Sequence, residues 1–267
     1  YNHKLDIKDV VISNGVTSIG DLAFNDCENL TSIVIPDGIT YIGNDAFWSC
    51  TSLAEIDLPN SLDHISDYAF AGCESLTSIT IPNSVTYIAA NAFYECTGLT
   101  DITISSSVTS IYYFTFYDCT SLTNIVIPEN VTSIGYCAFG NCTSLTKVDI
   151  PDSVTSIGTQ TFIGCTNLKD VIMSKTLYDD LVRNNRLSDV FQDINLPNIH
   201  VRYSVDYKSN GNGTITGTTT KSFGTDQIEL TIQPDSNYEL DKIAWSDGTN
   251  SGVLTETNGK YVMPDSD

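Results

Sequence analysis

Apolar positions recur along this chain with a period of 23 residues. Cys27, Cys50, Cys73, Cys96, Cys119, Cys142 and Cys165 mark that period without one insertion or deletion. Phe stands three residues before each of them, from Phe24 to Phe162, and Leu three residues after each, from Leu30 to Leu168. Further apolar columns fill the space between, as at Ile33, Ile35, Ile39 and Ile42. An incomplete unit precedes the first cysteine, with Ile7, Val10, Ile12, Val16 and Ile19 in the matching columns. A unit this short cannot bury so many inward positions by itself; stacked units bury them against one another.

The same pattern sets the local structure. Alternation over Ser32, Ile33, Val34 and Ile35 predicts a strand that ends at Pro36, which has no N–H for a continuing ladder. The β-branched stretch from Ile39 to Ile42 predicts a second short strand, and Gly43 permits the turn after it. Between Ala46 and Cys50 there is room only for a short helical or 3-10 turn. The expected fold is mostly β: a solenoid with two short strands and a tight turn per unit. On the first strand, residues on either side of the inward Ile point outward, giving pairs such as Glu55 and Asp57, or Asp101 and Thr103.

The unit LTSIVIPDGITYIGNDAFWSC and its six variants resemble the BspA-like leucine-rich repeats of the 23-residue Treponema pallidum type. The resemblance implies a right-handed arc belonging to a bacterial cell-surface or secreted protein, in a family where several members are adhesins that bind other proteins. The period ends after Val171, so the solenoid is assigned to residues 1–172. Leu177, Leu181, Leu187, Val190, Phe191 and Ile194 suggest two short amphipathic helical segments, and residues 173–198 are expected to cap the last open rung. Residues 199–267 form a small β-rich module with strands expected at Ile228–Ile232, Tyr238–Trp245 and Tyr261–Met263. Its segments GNGTITG, IELTIQPDSNYELDKIAW and GKYVMPDSD resemble divergent B-repeat-like modules of bacterial surface proteins, which implies a β-grasp-type fold. In that pattern a further strand follows MPDSD, so the module is expected to be cut short at Asp267, as the repeat is entered in mid-pattern at Tyr1.

Charge narrows the partners. Thirty-three Asp and Glu against 12 Lys and Arg give a net charge of −21, which repels phosphate backbones and anionic lipid. No apolar run approaches the roughly 20 residues of a membrane span. Nucleic acid and direct membrane insertion are therefore not expected partners. No G-x-S-x-G elbow, H-E-x-x-H helix or Walker-type loop occurs, and neither a catalytic site nor a cofactor is expected.

The 8 cysteines invite three readings. Zinc needs ligands that converge, whereas this spacing puts one Cys on each rung, and His3, His64 and His200 fall elsewhere. Disulfides between rungs are disfavoured because identical columns point their Cβ vectors side by side rather than at one another. A ladder of free, buried thiols acting as small hydrophobes is the expectation. Cys137 stands outside the column, either as a reactive thiol or as the filler of a variable turn position. Glu55, Asp57 and Asp101 are the carboxylates nearest to a weak calcium set, but no D-x-D-x-D-G loop supports one, and a solvated acidic face is expected.

Aromatic residues give the sharper signal. Trp48, Tyr94 and Tyr117 share the column after the Phe, and Tyr112 and Tyr113 replace consensus residues one unit before Tyr136. Columns of a solenoid become neighbours in space, and a stripe of Tyr and Trp outside the core pattern suits an interface or a sugar platform. The alternative is that these rings merely close the edge over their own turns. The candidate partner-binding residues are thus Trp48, Tyr94, Tyr112, Tyr113, Tyr117 and Tyr136, with Glu55, Asp57 and Asp101 second. A non-catalytic adhesin or protein-interaction scaffold is expected outside the cell or on its surface. A carbohydrate-binding surface protein, or an accessory segment of a larger extracellular enzyme, is the alternative.

Overall fold

The computed structural model describes residues 3–195 and 198–203, and beyond them short strands between residues 219 and 263. Two ladders of parallel strands run through the repeats. In the first, Asp9–Val11 pairs with Ser32–Val34, Ser78–Thr80 with Asp101–Thr103, and Lys147–Asp149 with Asp170–Ser174. In the second, Ser18–Ile19, Tyr41–Ile42, His64–Ile65 and Tyr87–Ile88 form one sheet. Ser110–Ile111, Ser133–Ile134 and Ser156–Ile157 form another. Within the repeats each register joins residues one period apart, as in Ile79 to Ile102. The expected mostly-β solenoid is therefore the observed fold. Glu55–Asp57 and Asn124–Val126 form no regular strand, although Val126 makes a single bridge to Asp149.

The interior is built from columns. Ile33, Ile79, Ile102 and Val148 are buried at the centres of exposed–buried–exposed strands. Phe47, Phe70, Phe93, Phe116, Phe139 and Phe162 are fully buried. With Phe24 they stack face to face at centroid separations from 5.3 to 5.6 Å. The turn that carries them is bonded twice over. The Phe47 N–H donates to the Ala69 carbonyl of the next rung at 2.8 Å, and the Cys50 N–H donates back to Phe47 at 3.1 Å. This local i to i−3 bond is the short turn expected between Ala46 and Cys50.

All eight cysteines are buried and free. Each thiol from Cys50 to Cys165 in the column donates to the carbonyl of the Phe 26 residues earlier, at 3.0–3.3 Å. Burial pushes the Cys50 and Cys96 thiols up to about 12. Such thiols carry almost no thiolate at neutral pH, so they are neither nucleophiles nor ready metal ligands. Cys137 fills the turn position rather than presenting a reactive group. It is 3% exposed, its Sγ lies 3.6 Å from Gln160 Oε1, and burial raises its pKa as well.

The C-terminal cap continues the rung pattern with one insertion. Helix α1, Lys175–Arg183, starts at Ser174, whose hydroxyl accepts from the Leu177 N–H at 3.2 Å. Helix α2, Leu187–Val190, leads into Phe191, whose ring stacks on Phe162 at 5.6 Å and 9°. The strand Asn198–Tyr203 lies parallel to Asp170–Ser174, with Ile199 beside Val171, and buries Ile199 and Val201. Arg202 ties this rung down by pairing with Asp149 and, at 2.5 Å, with Asp152. Farther on, Thr219–Ser222 pairs antiparallel with the strand's end, Ile228–Leu230 with Lys260–Met263, and Ile243–Ser246 with Ser251–Leu254. The expected β-grasp topology, the segment from Tyr238 to Lys242 and the end after Met263 lie outside the described residues.

Candidate functional site: an aromatic cleft at the turns

Two turn positions in each unit take the left-handed backbone conformation, and the first of them does so without glycine in every unit from Leu22 to Gln160. Asp45, Tyr68, Asn91 and Phe114 form one such column, with φ of 54°, 54°, 58° and 55°. A non-glycine residue pays a steric penalty there, and it persists only where the surroundings fix the backbone. Here the surroundings are the next rung: the N–H groups of Asp45, Asn91 and Phe114 donate forward to the carbonyls of Asp67, Tyr113 and Tyr136 at 3.0–3.2 Å. The column is thereby held at the surface as an ordered row.

Around that row the rings gather. Trp48 packs against Tyr68 at 6.1 Å, Tyr68 against Tyr94 at 6.2 Å, and Tyr94 lies parallel to Tyr117 at 5.4 Å and 9°. Phe114 meets Tyr113, Tyr117 and Tyr136 edge-on at 5.2–6.2 Å. Trp48, Tyr68, Tyr113 and Tyr136 keep 37–50% of their surface in solvent. Between the rings lies a cleft of about 520 Å³ that Asp45 and Asn91 also line. Tyr117 is fixed by a hydrogen bond that Asn141 Nδ2 donates to its hydroxyl at 3.0 Å. Its ring lies over Gly140, where a Cβ would come within 2.6 Å of it. A second depression, about 620 Å³, lies on the cap beside Leu181, Leu187 and Phe191 and gathers none of the expected residues.

The structure thus brings together Trp48, Tyr94, Tyr113 and Tyr117, and reaches Tyr136 through Phe114. Tyr112 belongs elsewhere. It packs on Tyr87 at 5.1 Å, at the end of a separate column in which His64 stacks between Tyr41 and Tyr87. Glu55, Asp57 and Asp101 are exposed on the first-strand side, not at the turns. The rung Ser78–Thr80 separates the first two from Asp101, which puts two rung spacings, about 10 Å, between them and rules out a shared ion. Among the described residues no three potential ligands converge on one point. Sequence reasoning missed Asp45, Tyr68, Asn91 and Phe114 as members of the site. Their common spacing of 23 residues was the signal, since it makes successive members of one column neighbours.

The field at the cleft is negative. No Lys or Arg occurs between Asp9 and Thr146, while 15 Asp and Glu do. Burial raises the Asp45 pKa, and the nearby Asp21 and Asp67 carboxylates add to the rise. Burial, with Glu95 next to it, pushes the Tyr94 hydroxyl up to about 12. The cleft therefore offers flat rings and, among the described residues, one carboxylate without a counter-ion and one amide without a side-chain hydrogen bond.

Stacked 23-residue rungs with a Leu, Ile, Phe and Cys interior define a leucine-rich-repeat solenoid. The chain belongs to the BspA-type leucine-rich repeat family, whose region model matches it in 6 copies over residues 1–119 and 88–211. Residues 203–267 match the divergent InlB B-repeat domain, in agreement with the resemblance read from the sequence. Among solved structures, a leucine-rich repeat protein from Bacteroides ovatus is similar at 29% identity and a TM-score of 0.54, over 66% of this chain and 51% of that one. A leucine-rich cell-surface protein from Faecalibacterium prausnitzii is 28% identical with a TM-score of 0.48, over 64% of this chain and 62% of that one. The T. pallidum leucine-rich repeat protein is 27% identical with a TM-score of 0.50, over 72% and 74%. The chain thus spans about half the length of the B. ovatus protein. Comparison with curated proteins gave no match.

Proposed function

We propose that this chain is the recognition arc of a non-catalytic bacterial surface protein, an adhesin that holds a protein partner on its outer face. One observation carries the proposal: the inward columns are uniform from rung to rung, whereas the turns at the middle of the arc expose an ordered cluster of rings that the core does not need. Exposed Tyr and Trp held rigidly are the residues that anchor protein interfaces. The C-terminal module beyond the last rung acts as a spacer or connector. The acidic surface disfavours nucleic acid and anionic membrane as partners.

A second proposal rests on the parallel pair Tyr94 and Tyr117 beside the Asn91 amide, an arrangement that also suits a sugar ring. Binding of the chain to cultured epithelial cells and to neighbouring bacterial cells separates the two. For a protein partner, light protease treatment of the cells abolishes binding and broad deglycosylation leaves it within about twofold of the untreated level. The reverse pattern would transfer the assignment to glycans.

A further inference from the structure

Resting on the protein-partner proposal above, we infer that the aromatic cleft receives an arginine side chain from a basic segment of the partner. Three independent features of the cleft favour a segment that carries such a side chain. Its walls are ring faces and edges, and a guanidinium stacks on such faces more readily than an ammonium does. Asp45 opens into it with no cation and no hydrogen-bond donor to its carboxylate among the described residues, and a planar fork matches a carboxylate in two bonds. Asn91 stands two rung spacings, about 10 Å, along the column from Asp45. It is only 5% exposed, lines the cleft and makes no side-chain hydrogen bond among the described residues, so its amide oxygen is free to accept an N–H from the segment that carries the arginine.

The surroundings favour the same occupant. Every Lys and Arg of the chain lies outside residues 9–146, so nothing cationic on the central rungs competes for Asp45 or repels an incoming positive charge. The raised pKa of Asp45 has like-charge crowding by Asp21 and Asp67 among its causes, and a cation relieves that crowding. A basic polypeptide is also what a field of this sign draws in over distances of a Debye length, about 8–10 Å at physiological salt.

The test uses the full chain and a short glycine–serine peptide carrying three arginines. Three further probes are its citrulline counterpart, its lysine counterpart and neutral chitotriose. Affinity is read by calorimetry and by the fluorescence of Trp48, which sits in the cleft. The expected result is binding of the arginine peptide, with the citrulline form weaker by about tenfold or more and the lysine form in between. Asp45→Asn keeps the left-handed backbone, which Asn tolerates, and is expected to weaken the arginine peptide about fivefold or more. Asp37→Asn, an exposed acid away from the cleft, should leave that affinity unchanged. Equal binding of the arginine and citrulline peptides overturns the inference, as does an equal effect of the two Asn variants. A lysine peptide that binds as tightly as the arginine one overturns the guanidinium assignment. Failure of every probe while protease-sensitive cell binding persists overturns this inference alone. Tight chitotriose binding without peptide binding overturns the protein-partner proposal with it.

Discussion

Phe93→Ala is expected to cost about 3–5 kcal/mol of folding stability, the range for emptying a fully buried aromatic site. Phe93 lies near the middle of the continuous ring stack, 5.4 Å from Phe70 and 5.6 Å from Phe116. The rungs are held by one repeated hydrogen-bond scheme and one ring column, so neighbours cannot collapse into the void without losing register with the next rung. A solenoid is stabilised by nearest-neighbour interfaces, and this substitution damages two of them. Phe24→Ala damages one, at the partly exposed first ring, and is expected to cost less than half as much. Urea unfolding of the two variants beside the parent chain gives both numbers. Equal costs would mean that the stack does not transmit stability along the arc.

Alkali is expected to unfold the chain between pH 9.0 and about 12. An unfolded cysteine loses its proton near 9.0, while buried Cys50 and Cys96 hold theirs until about 12. Their contribution is complete below pH 9. Above it the unfolded state binds fewer protons than the folded one, and stability falls as pH rises toward the folded-state values. Each thiol so shifted removes about 1.4 kcal/mol per pH unit across that window. Cys73, Cys119 and Cys142 are raised in the same direction by burial, so the slopes add. The urea midpoint should therefore stay level up to about pH 8.5 and then fall steeply. Cys96→Ala should make the fall shallower by one thiol's share. An alkaline slope unchanged by that substitution would contradict the buried-ladder account.

Nearly all of the solenoid was legible in the sequence because every interior position repeats. Seven cysteines, leucines and phenylalanines at one spacing can satisfy burial only by stacking, and the strands follow from the alternation around Ile33 and its equivalents. The cap was less legible. Phe191 completes the ring stack 29 residues after Phe162 rather than 23, because α1 is inserted between the last regular strand and its successor. With the spacing broken, Phe191 read as one more apolar residue of a helical segment.

The site was half legible. Trp48, Tyr94 and Tyr117 stand out because they share a column, and Tyr113 because it breaks consensus. Asp45, Tyr68, Asn91 and Phe114 were hidden because their position accepts almost any residue, and a sequence pattern does not display φ. Only the forward hydrogen bonds that hold this column left-handed reveal that it forms the bed of the cleft. Tyr112 was misplaced for a related reason. Adjacent residues at a sharp turn leave on different faces, so Tyr112 joins Tyr87 while Tyr113 joins the cleft.

The central claim is that recognition sits in the cleft rings while folding rests on the inward columns. The double variant Tyr94→Ala with Tyr113→Ala, compared with the parent chain for melting temperature and for protease-sensitive binding to cells, tests it most directly. Anchoring rings typically lose about 2 kcal/mol or more on truncation, so binding is expected to weaken by at least about tenfold while the melting temperature stays within a few degrees. Parental binding by a folded double variant would contradict the account. So would a variant that melts early while its surviving folded fraction binds normally, which would make the rings packing and nothing more.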